Sequence, residues 1–233
     1  MERARTTHES VFRVYAWAEP TLSFGRNQTA RGAYDPGLAR SKGIAVVRRL
    51  TGGRALLHHR EVTYSVTAPV EPGSSLRESY HRINRLLITG LSRLSVPVSI
   101  AMPTDRTPPP TASPCFERPA AGELTVDGRK LVGSAQWRDE GAMLQHGSIL
   151  IDDDQPMVAE LAGDTRMQPP PAATLADAMG RRPTIQEVAD ALFDAVRSLE
   201  SRTAHELDLD TQTNDSMHRA LERYRDDAWT WRR

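Results

Sequence analysis

Between positions 12 and 15 the chain reads FRVY, apolar and basic residues in turn, the period-two alternation of a strand with one buried face. The proline-interrupted segment WAEPTLSFG at 17–25 reads as a second extended stretch. Residues 44–49, IAVVRR, form a β-rich run that passes directly into TGGRALLHH, so a strand is expected to feed a glycine turn. In EVTYSVTAPV, at 61–70, Val62, Tyr64 and Val66 alternate with Thr63, Ser65 and Thr67, which predicts a second strand returning from that turn. Leu76, Tyr80, Ile83, Leu87, Leu91 and Leu94 then recur at spacings of three and four, behind a Ser75–Glu78 capping box. The spacing predicts a long amphipathic helix.

After a short strand at 96–101, PTDRTPPPTASP has the composition of an extended, exposed loop. The stretch ELTV-DG-RKLVGSAQ reads as a hairpin, because Asp-Gly supplies the positive φ angles of a two-residue turn between β-rich arms. MLQHGSILI, at 143–151, is a further strand. Past the proline cluster at 169–171 the period changes: Thr184 and Glu187 repeat the capping pattern ahead of Ile185, Val188, Leu192, Val196 and Leu199. No segment repeats at a fixed period. Residues 12–151 form a strand-rich part and residues 152–233 a mainly helical part, the organisation of an α+β domain with a helical C-terminal portion.

Composition narrows what such a domain can do. The chain has 233 residues with 30 Lys+Arg against 30 Asp+Glu, so no overall field holds it to nucleic acid or anionic lipid. No apolar run approaches the roughly 20 residues of a membrane span, and MERARTTHES lacks a signal peptide's apolar core; a cytoplasmic protein with no membrane or nucleic-acid partner is expected. A single cysteine, Cys115, rules out an internal disulfide and any metal site built from several thiolates. Only Lys42 and Lys130 are lysines, every other basic side chain being arginine. Lysine alone offers a compact ammonium that can point at one oxygen, so each merits a chemical reading, with loop-bound Lys42 the weaker case.

Four segments carry side chains suited to chemistry. In RRLTGGRALLHH, at 48–59, Gly52 and Gly53 let backbone N–H groups approach a carbonyl or phosphate oxygen, although a Gly-Gly pair alone equally reads as a plain turn. In SPCFERP, Cys115 sits in a loop where solvent and substrate can reach the thiol, whereas an inert cysteine is usually a buried apolar side chain. Lys130 follows the Asp-Gly turn, 15 residues after Cys115, so loop and hairpin arm can meet. In LQHGS, His146 precedes Gly147 within an apolar strand, and no acidic residue at a readable spacing completes a Cys-His-Asp set. Walker-type, GxGxxG and HExxH patterns are absent.

WAEPTLSFGRNQ, VVRRLTGGRALLHHREVTYSV, SPCFERPAAGELTVDGRKLVGSAQWR, MLQHGSIL and YRDDAWTWRR together resemble, in order, the biotin/lipoate protein ligase catalytic-domain family, and within it the lipoate-ligase-like octanoyltransferases. The resemblance implies one catalytic domain over 1–233, related to class II synthetases, with a mixed, largely antiparallel sheet and packed helices. It also implies that the family's N-terminal strand and most of its first helix are missing. It casts Cys115 as the nucleophile and Lys130 as the substrate-orienting lysine. Arg49, Thr51, Gly52, Gly53, His58, Gly133, Ser134, His146 and Gly147 become substrate-binding positions, with Leu56, Leu57, Val132 and Ala135 as an apolar slot. The implied partners are acyl carrier protein and a lipoyl-domain acceptor such as the glycine-cleavage H protein, without cofactor or metal. Two alternatives stay open: a lipoate ligase using ATP and magnesium, and a non-catalytic protein that binds acyl carriers or lipoyl domains.

Overall fold

The computed structural model describes residues 1–102, 115–116, 119–163, 170–208 and 211–232; the proline-rich segment expected as an exposed loop lies outside them. Along the chain come α1 (Glu2–Thr6), β1 (Val11–Tyr15), β2 (Thr21–Phe24), α2 (Pro36–Ser41), β3 (Ala45–Arg48), β4 (Leu56–His58), β5 (Glu61–Pro69) and α3 (Leu76–Arg93). Then follow β6 (Ser99–Ile100), β7 (Leu124–Val126), β8 (Arg129–Asp139), β9 (Ala142–Leu150), α4 (Pro156–Leu161), α5 (Leu175–Met179), α6 (Ile185–Leu199), α7 (Thr211–Arg225) and α8 (Asp227–Thr230). Six strands pair antiparallel in the order β1-β5-β9-β8-β7-β6, and a second sheet has the order β3-β2-β4, with β2 parallel to β3.

The expected α+β architecture is present, with one correction. The strand before TGG and the strand at 61–70 are not two arms of a hairpin: β4 intervenes, pairs with β2, and leaves β3 and β5 in different sheets. A three-residue strand is too short for its periodicity to register, and β3 and β4 lie on opposite edges of β2, so the segment joining them must cross it. The Gly52-Gly53 segment is therefore a crossover loop in the smaller sheet.

One face of the large sheet packs on helices. Val62, Tyr64, Val132 and Ile149 meet Ile83, Leu87 and Leu91 of α3 and Val188 and Leu192 of α6 in one buried cluster. The Ser75–Glu78 capping box of α3 is formed, whereas at α6 Thr184 caps the Glu187 N–H while the Glu187 carboxylate pairs with Arg181. Leu76, Ile185 and Leu199, at the ends of the predicted stripes, are exposed, because only the middle turns of each helix cross the sheet. The opposite face, carrying Thr63, Ser65, Gly133, Ala135, His146 and Ser148 by the period of two, looks toward the smaller sheet. The candidate site lies there.

Candidate active site

The Asp127-Gly128 turn, with φ of 49° and 74°, folds β7 onto β8 as a two-residue hairpin. The register then slips by one: Leu124 and Thr125 oppose Val132 and Lys130, leaving Leu131 as the extra residue of a bulge. The bulge brings Lys130 to the face it would otherwise miss, and its Cε lies 3.1 Å from where a Cβ on Gly133 would stand. Gly133 is therefore the floor beneath the lysine side chain.

Lys130 Nζ donates to the carbonyl of Cys115 at 2.8 Å, approaches Cys115 Sγ at 3.4 Å and donates to Glu123 Oε1 at 2.7 Å. It also stands 4.9 Å from the centre of the Phe116 ring. The expected meeting of loop and hairpin arm is seen in these contacts. Glu123, which sequence reasoning did not single out, is held in turn by the Ala120 N–H at 2.7 Å. Lys130 pairs with Thr125, so Glu123, two residues before Thr125, is its diagonal neighbour across the hairpin. Burial pulls the Lys130 pKa down, but the charges of and hydrogen bonds to Cys115 and Glu123 outweigh it, and the pKa rises above the ordinary lysine value. The side chain is thus a fixed cation against the sulphur, where an attacking or departing thiolate carries its charge.

Cys115 is anchored by its own N–H, which donates to the Ala55 carbonyl at 2.9 Å directly after the glycine loop. Leu56, Phe116, Leu150 and Ala172 form an apolar cluster against it. Of the four residues expected to line an apolar slot, Leu56 lies here and Ala135 on the open sheet face. Leu57 packs with Leu22 and Phe24 on the far side of the smaller sheet, and Val132 with the helices, so these two leave the slot: alternate residues of a strand point oppositely.

The loop itself is braced by Arg49, whose guanidinium donates to the carbonyls of Ser23, Gly52 and Arg54 at 2.9, 3.0 and 2.7 Å. With its donors committed to backbone, Arg49 shapes the loop. Gly53 has φ of 96°, and its carbonyl fills the space where a Cβ of Gly25 would stand. Nothing lies within 4 Å of a Cβ position on Gly52, so a ligand can rest directly on its backbone. Thr51 Oγ1 is 2.6 Å from His146 Nε2, which ties the loop to β9.

His58 is held by side chains of the protein itself. Its nitrogens face Ser23 Oγ and Glu61 Oε1, both at 2.8 Å, and Trp17 stacks on its ring. Ser134 points to the helical side, where its hydroxyl is 2.6 Å from the Tyr64 hydroxyl. Tyr64 reaches it by passing over Gly147, at which an added Cβ would fall 2.6 Å from Tyr64 Cε1 and 2.5 Å from the Gly133 carbonyl. Gly147 is glycine because the tyrosine lies across it.

Burial, then the charges of Arg49 and His58, push the His146 pKa down to about 3. The ring is neutral near pH 7 and serves as a hydrogen-bonding partner of Thr51 rather than a general base. Unfolded, the same ring takes a proton near pH ~6.5, so between about pH 3 and 6.5 the unfolded state binds more protons and stability falls as the pH is lowered, by at most about 1.4 kcal/mol per unit. Urea unfolding at pH 7 and pH 5 should show this slope, and His146→Asn should flatten it; an unchanged slope in the variant would assign it to other groups.

Among the described residues no group of three or more His, Cys, Asp or Glu side chains could hold a metal ion, and no helix is long and apolar enough to cross a membrane. Residues 1–197 match the lipoyl protein ligase A/B catalytic domain family. Octanoyltransferase LipM of Kyrpidia tusciae is 35% identical over 96% of this chain and 87% of its own length, and that of Symbiobacterium thermophilum 37% over 82% and 75%. Among solved structures, lipoate-protein ligase A bound with ATP superposes with a TM-score of 0.74 at 20% identity, covering 99% of this chain and 90% of its own. The bi-partite lipoate protein ligase of Thermoplasma acidophilum, solved with its E2 lipoyl domain, gives 0.73 at 20%, covering 96% and 84%.

Proposed function

Because the chain belongs to the lipoyl protein ligase A/B catalytic-domain family, we propose that it is an octanoyltransferase of protein lipoylation, working through an acyl group held on Cys115. The Cys115–Lys130 contact carries this reading: a partly exposed thiol stands 3.4 Å from a buried ammonium that a carboxylate holds in place. The name shared by the relatives from Kyrpidia and Symbiobacterium supports the acyl group assigned.

In the first half-reaction the Cys115 thiolate adds to the carbonyl carbon of an octanoyl thioester on a carrier protein. The oxyanion of the tetrahedral intermediate is stabilised by the Lys130 ammonium and by backbone N–H groups at Gly52 and Gly53. The C–S bond to the carrier breaks, and the departing sulphur leaves as a thiolate that takes a proton from solvent. One thioester replaces another, so the step is nearly balanced and asks for no ATP. In the second half-reaction the neutral amine of a lysine on a lipoyl-domain protein attacks the Cys115 thioester, loses its proton and forms an amide as the thiolate returns. Amide formation makes that half downhill. Thr51 and His146 fix the loop over the acyl group, and Leu56 and Ala135 offer it apolar surface.

A single-turnover assay with octanoyl-carrier protein, a lipoyl-domain acceptor and no nucleotide tests the reaction class. Octanoylated acceptor should form without ATP. Formation only from free octanoate or lipoate with ATP would make the protein a ligase, and acceptor binding without transfer would leave it a binding protein.

A further inference from the structure

The trough that holds Lys130 does not end there. Gly133, Ala135 and Trp137 share one face of β8, so from the lysine outward the floor carries no atom beyond a Cβ until the Trp137 indole. At that point opens a cleft of about 270 Å³ lined by Arg26, Leu50, Trp137, Asp139, Arg223 and Trp229. Leu50 belongs to the same loop as Gly52 and Gly53. The Arg26 guanidinium lies 3.9 Å over Trp137, while those of Arg223 and Arg232 lie 5.5 and 4.0 Å from the Trp229 ring centre. Asp139 is the acid of the lining, and Arg5 already neutralises it at 3.0 Å. Among the described residues no carboxylate pairs with Arg26 or Arg223, so the cleft is positive and organised for an anion.

We infer that this cleft binds the phosphodiester of the phosphopantetheine arm through which the acyl donor presents its thioester; the inference rests on the carrier-bound donor proposed above. Length favours this occupant. Trp137 lies four residue steps along β8 from Gly133, about 13 Å at strand rise, and the ammonium beside Gly133 is 3.4 Å from Cys115 Sγ. An extended phosphopantetheine arm spans about 16 Å from phosphorus to sulphur, at the roughly 3.6 Å per three bonds of an extended chain. Its phosphate can therefore sit between Arg26 and Arg223 while its thioester reaches the cysteine, with the amide arm lying over Ala135 and ending at the lysine that covers Gly133. A nucleotide would also bring phosphate to arginine, but a guanidinium already lies over each indole, so both rings serve to hold cations.

The test compares binding of 4′-phosphopantetheine and of pantetheine, which lacks the phosphate, to the full chain, followed by the fluorescence of the cleft tryptophans. The phosphorylated arm should bind at least tenfold more tightly, and Arg26→Gln with Arg223→Gln should bring the ratio to near one while the melting temperature shows a folded protein. Arg223→Gln alone, at an exposed position, should remove part of the preference. Equal binding of the two arms by the wild type, a ratio that survives both substitutions, or ATP binding more tightly than either arm would overturn the inference. Binding needs no turnover, so a protein that shows the preference but transfers no octanoyl group contradicts the donor reaction alone, and one that transfers without the preference contradicts the cleft alone.

Discussion

Cys115→Ser should cut octanoyl transfer by a factor on the order of 10³ or more while leaving the fold intact. Serine is nearly isosteric, and the anchoring hydrogen bond, Cys115 N–H to the Ala55 carbonyl at 2.9 Å, comes from the backbone and survives. What changes is the atom 3.4 Å from the Lys130 ammonium. A thiol loses its proton far more readily than a hydroxyl, and among the described residues His146, neutral and buried, is committed to Thr51 rather than placed to take a hydroxyl's proton. The variant should still bind acceptor and melt within a few degrees of the wild type. Transfer within tenfold of wild type would mean that the acyl group never rests on residue 115.

Lys130→Arg keeps the charge and should still cost about 10²–10³ in turnover, the loss typical of removing one oxyanion donor. The ammonium fills its space: its Nζ contacts Cys115 and Glu123, and even a methyl group on Gly133 would come within 3.3 Å of it. A planar guanidinium is too large for that volume and cannot point one donor at the sulphur while keeping Glu123. Overpacking of this kind costs about 1–3 kcal/mol of stability, so kinetics should be read at a temperature where a melting curve shows the variant folded. Lys42→Arg is the control, because Lys42 pairs with Glu160 at 2.7 Å on the surface and should tolerate the exchange. Near-normal transfer by folded Lys130→Arg would remove the lysine from the mechanism.

Both predictions concern residues that could be read from the chain alone, and the reason is local. Asp127-Gly128 dictates a turn, the alternation after it dictates a strand, and a lone cysteine and a scarce lysine are conspicuous in an arginine-rich sequence. The Leu131 bulge was not legible, because one extra residue leaves no trace in a period of two, yet it decides the face Lys130 occupies. Glu123 went unread for a related reason: a carboxylate at the start of a strand ordinarily faces water, and only the folded hairpin reveals that it is buried against the lysine. His58 and Ser134 are the reverse case. Their types suit a binding site, but the first is enclosed by Ser23, Trp17 and the nearby Glu61 and the second by Tyr64, and apart from Glu61 these partners are distant in sequence. The cleft between Arg26 and Arg223 joins residues nearly two hundred positions apart, a proximity that no local pattern encodes.

Acyl occupancy of Cys115 tests the account most directly. The protein is mixed with octanoyl-carrier protein in the absence of ATP, quenched in acid, and measured by intact mass and peptide mapping. A single octanoyl group should appear on the peptide containing Cys115, disappear when the acceptor protein is added, and be absent from Cys115→Ser. An adduct that persists in the serine variant, or acceptor octanoylation that proceeds with no adduct on the wild type, would contradict it.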